Sequence, residues 1–207
     1  IYIGGVETEP VDGEYLFTRV SGAYGSMSHT EGTSTITDGL GSHAEGNITS
    51  AVGAYSHSTG NRTITASDYS TTEGYQSITL GEYSHAEGKD SIAVGTYSHA
   101  EGSCGMSIGT YSHAEGIDTK AFGEFSHAEG MGSQTYEQGS HAEGNSIAYA
   151  PCSHAEGNKT ETNTRAAFSH TEGFATTTYG SMSHAEGRKT TTQQNAFWSH
   201  AEGSGTT

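Results

Sequence analysis

A five-residue motif, Ser-His-Ala-Glu-Gly with close variants, returns down almost the whole chain. It begins at Ser28, Ser42, Ser56, Ser70, Ser84, Ser98, Ser112, Ser126, Ser140, Ser153, Ser169, Ser183 and Ser199. Nine of the twelve intervals are 14 residues, and the others are 13, 16 and 16. A period this strict means one supersecondary unit stacked on copies of itself. The motif also holds all 12 histidines of the 207-residue chain. An active site needs unique groups in unique surroundings, so repetition on this scale predicts a chain that is not an enzyme.

Each period divides into two halves. Ser84-His-Ala-Glu-Gly88 is followed by two linking residues, then by Ser91-Ile-Ala-Val-Gly95 and two more. The next unit runs from Ser98-His-Ala-Glu-Gly to Gly105-Met-Ser-Ile-Gly109, and Ser21-Gly-Ala-Tyr-Gly25 is a lone second half ahead of the first motif. Small and large residues alternate with a period of two, which is strand periodicity, and glycine with two small or polar residues then turns the chain. Helix is excluded by the 30 glycines. The expected fold is all-β: a narrow parallel β-roll of 14-residue coils, each with two short strands and two tight corners. Twelve to thirteen coils make a rod of roughly 60 Å at strand spacing. The roll spans residues 21–203, with a cap or the end of a preceding segment at 1–20 and a tail at 204–207.

The facing of the side chains follows from charge. Were the residues between Ser, Ala and Gly to point inward, about a dozen His and a dozen Glu would be buried, each ionised group costing several kcal/mol. Ser, Ala and Gly therefore fill a very thin interior, with His and Glu outside on one sheet and Ile and Val outside on the other. That second sheet carries Val52, Ile64, Ile78 with Leu80, Ile92 with Val94, Met106 with Ile108, Phe122, Tyr136, and Ile147 with Tyr149. An apolar strip of this length demands a cover, and the chain has no other segment to supply one. Self-association about a symmetry axis is the direct solution. Ile78, Leu80, Ile92, Val94, Met106, Ile108 and Phe122 are the expected oligomer core.

Alternating Ser-x-Ala-x-Gly halves in a 14-residue period resemble the head repeats of trimeric autotransporter adhesins, the YadA-like head. Similar Ser-His-Ala-Glu-Gly arrays also look like those in tail-fibre or tail-spike proteins of phages of Gram-positive hosts. The resemblance spans residues 21–203. It implies a left-handed roll, a homotrimer, and an extracellular attachment fibre on a cell surface or virion, with a host-surface receptor or glycan as partner.

Two chemical readings attach to the motif. In the first, His and Glu form a structural ladder in which imidazoles relieve the repulsion of stacked carboxylates, roughly 1 kcal/mol per neighbour in water. In the second, His-x-Glu on one strand, with another His one rung above, captures a divalent transition metal such as Zn²⁺, Ni²⁺ or Cu²⁺. The candidate ligands are His85, Glu87, His99, Glu101, His113, Glu115, His127 and Glu129; no other cofactor is expected. Thr71 replaces His in the fourth repeat, and Thr59 replaces Glu in the third.

Aromatic residues precede the motif at Tyr55, Tyr69, Tyr83, Tyr97, Tyr111, Phe125, Phe168 and Trp198, which predicts a corner stack. The two 16-residue units read Thr162-Asn-Thr-Arg-Ala166 and Thr192-Gln-Gln-Asn-Ala196 as their second halves. That places the two extra residues after Gly157 and Gly187, in protruding loops that, with Trp198, are candidates for a local receptor contact. A net charge of −16 argues against nucleic acid as a partner. No run approaches the ~18 apolar residues of a membrane span. Cys104 and Cys152 are too many rungs apart for a disulfide within the chain.

Overall fold

The computed structural model describes residues 21–207; the cap expected over residues 1–20 lies outside the described residues. The fold is an all-β parallel solenoid of about 13 coils, without helix among the described residues. Every strand pairs in parallel with its equivalent one coil on: His99 with His113, Ala100 with Ala114, Glu101 with Glu115, Gly102 with Gly116. First-half strands are five residues long in most coils, as in His113–Ile117, and second-half strands are two, as in Ile92–Ala93.

The interior is as thin as the charge argument requires. Ala86, Ala93, Ala100, Ala114, Ala121 and Ala128 are fully buried and touch in short clusters. Serines and threonines fill the remaining space, and many of them bond to one another. The Thr65 hydroxyl donates to that of Thr72 at 2.8 Å, and Thr72 in turn to Thr79 at 2.7 Å. Threonine thus replaces alanine in this core by supplying its own hydrogen-bond partner. The motif's Ser turns back on the corner before it: Ser56 Oγ donates to the Gly53 carbonyl at 2.6 Å and Ser126 Oγ to that of Gly123 at 2.7 Å.

The two halves are not equivalent at glycine, contrary to the expectation that all glycines face inward. Gly95 and Gly109 of the second half are buried, whereas Gly88 and Gly102 of the motif are exposed. The motif glycines sit in left-handed backbone, with φ +115° at Gly116, where a Cβ would stand 2.1 Å from the Gly130 carbonyl oxygen. Two residues later a second left-handed residue completes the corner, as at Asp90 and Asp118. The opposite corner closes on the aromatic residue, with φ 57° at Tyr97 and 56° at Tyr111.

The long coils differ from the sequence expectation. Glu161 pairs with Thr177 and Thr162 with Thr178, so the second half begins at Thr160, not Thr162. The two extra residues are Thr164 and Arg165, and by the same alignment Gln194 and Asn195; all four are exposed, in turns after the second half and not after Gly157 and Gly187. The 13-residue coil omits one residue of the other corner, where the register shifts between Asn145 and Ser146, and its two strands fuse into His141–Ala148. Residues 204–206 pair with the coil before them, Gly205 N–H donating to the Arg188 carbonyl at 2.9 Å and Thr191 N–H to that of Thr206 at 2.8 Å.

Candidate functional site

Residues i and i+2 of a strand share a face, so each motif places His and Glu side by side, and parallel pairing in register stacks them coil upon coil. From His85 to His200 the imidazoles form one continuous column. Ring centroids are 4.5–5.0 Å apart and planes lie within 9° of parallel. Thr71 interrupts the column, and His29, His43 and His57 beyond it meet edge to face. The rings from His85 to His184 are half-buried, and His200, at the end of the column, is exposed. Stacking covers both faces of each ring, a consequence of geometry that composition does not reveal.

The predicted ligands come together. Nε2 lies 3.8 Å from the carboxylate in His85–Glu87, and 3.6 Å in both His99–Glu101 and His127–Glu129. The donor atoms of His113, Glu115 and His127 lie within 4.8 Å of one another. Further along, His170 is 3.7 Å from Glu172 and 4.0 Å from Glu156. Glu186 reaches His184 at 3.7 Å with one oxygen and His200 at 3.9 Å with the other. Burial first, and then neighbouring imidazoles, hold His99, His113 and His141 below the ordinary histidine pKa. The same causes bring His154 down to about 4. Burial, a hydrogen bond with Glu87 and the charges of Glu115 and Glu87 push the Glu101 carboxyl up. The ladder is therefore a column of half-buried imidazoles, four of them held toward the neutral form, beside a crowded column of carboxylates.

On the second sheet, Ile92 pairs with Ile78 on one side and Met106 on the other. Leu80 is 48% and Val94 38% exposed, while Ile78, Ile92, Met106, Ile108 and Phe122 are half-buried. Phe122, Tyr136 and Tyr149 continue the strip as stacked rings at 5.0 and 4.7 Å. Sequence reasoning missed that the inner column is broken by Lys120 and Gln134, which pair in line with Met106; Lys120 bonds Asp118 at 3.2 Å.

A family model, the YadA head domain repeat, matches residues 73–98 and 86–112. The chain carries YadA-like head repeats. The matched stretch includes Ser91-Ile-Ala-Val-Gly95, and the same ladder pairing runs on through the coils outside it. No curated protein matches the chain. The aromatic corner stack is the other regular surface of these YadA-like repeats: Tyr55 to Phe125 lie 4.8–5.3 Å apart, within 16° of parallel. Trp198, 77% exposed, stands at the same corner. Cys104 and Cys152 are free and exposed.

Proposed function

We propose that this chain is a non-enzymatic rod segment of an extracellular attachment fibre, on a cell surface or a virion, that works as a homotrimer. The observation that carries the reading is the apolar strip from Ile64 to Tyr149, left uncovered by its own chain. A strip one or two residues wide and many coils long fits a copy of itself placed alongside, because equal coil spacing brings every rung into contact. YadA-like heads belong to surface-exposed adhesins, which supports the extracellular placement. Three identical faces then present the corner stacks and the Thr164–Arg165 and Gln194–Asn195 turns to a host-surface receptor or glycan, with affinity multiplied by avidity.

Sedimentation equilibrium of the whole chain tests this. The wild type should run at three times the chain mass. Ile92→Asp with Val94→Asp places three pairs of carboxylates at the axis and should abolish assembly. A wild-type chain that is folded, soluble and monomeric at micromolar concentration would overturn the reading.

A further inference from the structure

The imidazole column has a property that a rod does not need. In His85, His99, His113, His127, His141, His154, His170 and His184, Nε2 is sealed from solvent and has no hydrogen-bond partner. A carboxylate oxygen stands before five of them at 3.6–3.8 Å, too long for a hydrogen bond. Two ligands each ~2.1 Å from a shared ion would subtend about 120–130° across that gap, near tetrahedral. Neighbouring imidazoles by themselves do not define an ion site, because parallel rings direct their Nε2 lone pairs side by side. The carboxylates supply the convergence, and at two places they already bridge coils: Glu156–His170–Glu172 and His184–Glu186–His200.

We propose that the His–Glu ladder is a linear array of sites for a borderline divalent cation of the Zn²⁺ class. Each site takes Nε2 and a carboxylate from one strand and a third donor from the adjacent coil. The sites at Glu156–His170–Glu172 and His184–Glu186–His200 are the best formed, and the ladder from His85 with Glu87 to His127 with Glu129 provides weaker ones. Neutral imidazole is the ligand form, so protons compete with the ion for every site. Harder cations fit poorly, since Ca²⁺ and Mg²⁺ demand six or more oxygen donors. Dications in adjacent coils repel four times as strongly as unit charges at that spacing. Eleven coils hold both His and Glu, so alternate filling gives about five ions per chain.

The sites lie within one chain, so the inference stands apart from the trimer reading. The test is calorimetric titration of ZnCl₂ into the untagged full chain carrying Cys104→Ser and Cys152→Ser, at pH 7.5 with excess CaCl₂. Saturable uptake of several equivalents, lost at pH 5, is expected. H184Q with E186Q and H200Q should remove about one equivalent and leave the melting of the metal-free chain nearly unchanged, while E186Q alone weakens that site roughly tenfold or more. X-ray absorption should show a nitrogen–oxygen shell with imidazole scattering. Non-saturable uptake, equal competition by Ca²⁺, or uptake indifferent to the triple variant would each overturn the proposal.

Discussion

Gly116 shows how little freedom a single position has in this rod. Its φ of +115° is costly for any L side chain, and a Cβ would meet the next coil's carbonyl oxygen at 2.1 Å. Gly116→Ala should destabilise the roll by at least about 2 kcal/mol, read as a lower midpoint in urea. The histidines make a second residue-scale prediction. His43, His99, His113, His141 and His154 all have folded pKa values below their unfolded value of 6.5. As pH falls through 6.5 the unfolded chain therefore binds more protons at these rings than the folded one, so the stability they contribute is full above pH 6.5 and drains away below it. Glu101, whose pKa is raised, works in the opposite direction but alone against five. Melting followed by circular dichroism should show a midpoint several degrees lower at pH 4.5 than at pH 7.5. A midpoint that is flat or rises on acidification would refute the assignment.

The facing of His, Glu, Ile and Val was legible at this scale, because burying a dozen like pairs is prohibitively expensive. The sealing of Nε2 was not: it depends on ring-on-ring contact between coils, which no single motif contains. The left-handed backbone at Tyr97 and its neighbours was equally hidden. A tyrosine ordinarily avoids that region, and it is the stacking of each ring on the next that accompanies it here.

At the level of the strand, register matters more than residue identity. Counting back five residues from Ala166 and Ala196 made Thr162 and Thr192 the opening residues of their second halves and put the extra residues in the wrong corner, whereas both threonines fill the alanine place. The roll accepts Thr162 where other coils have Ala93 or Ser107, all three fully buried or nearly so. Removing Thr164 and Arg165 should therefore turn a 16-residue coil into a 14-residue one at a cost of no more than about 1 kcal/mol, since loop length weighs little. Removing Thr160 alone instead sets a charged residue, Glu161 or Lys159, in its buried place and should unfold the coils around it. Comparable thermal midpoints for the two deletions would show that the corner is misassigned.

For the whole molecule, stability accrues coil by coil, each touching only its neighbours. Deleting one complete unit, residues 98–111, should leave a folded rod shortened by ~4.8 Å, a change that small-angle scattering can detect as a reduced maximum dimension. Deleting half a unit would set imidazoles under isoleucines and should not give a cooperative fold. The overall architecture was the most legible level of all, since the spacing of thirteen serines carries it.

The coils that break the period acquire meaning from the regularity around them. An ideal lattice of identical rungs has no landmark: slid by one step, it fits itself, or a twin, almost as well as before. The single short coil ending at Cys152 and the two long ones ending at Phe168 and Trp198 act as fiducial marks on this ruler, because any slip by a whole step sets a 16-residue turn against a 14-residue one. The apparent blemishes in the repeat are what make one alignment lower in energy than all its translated copies.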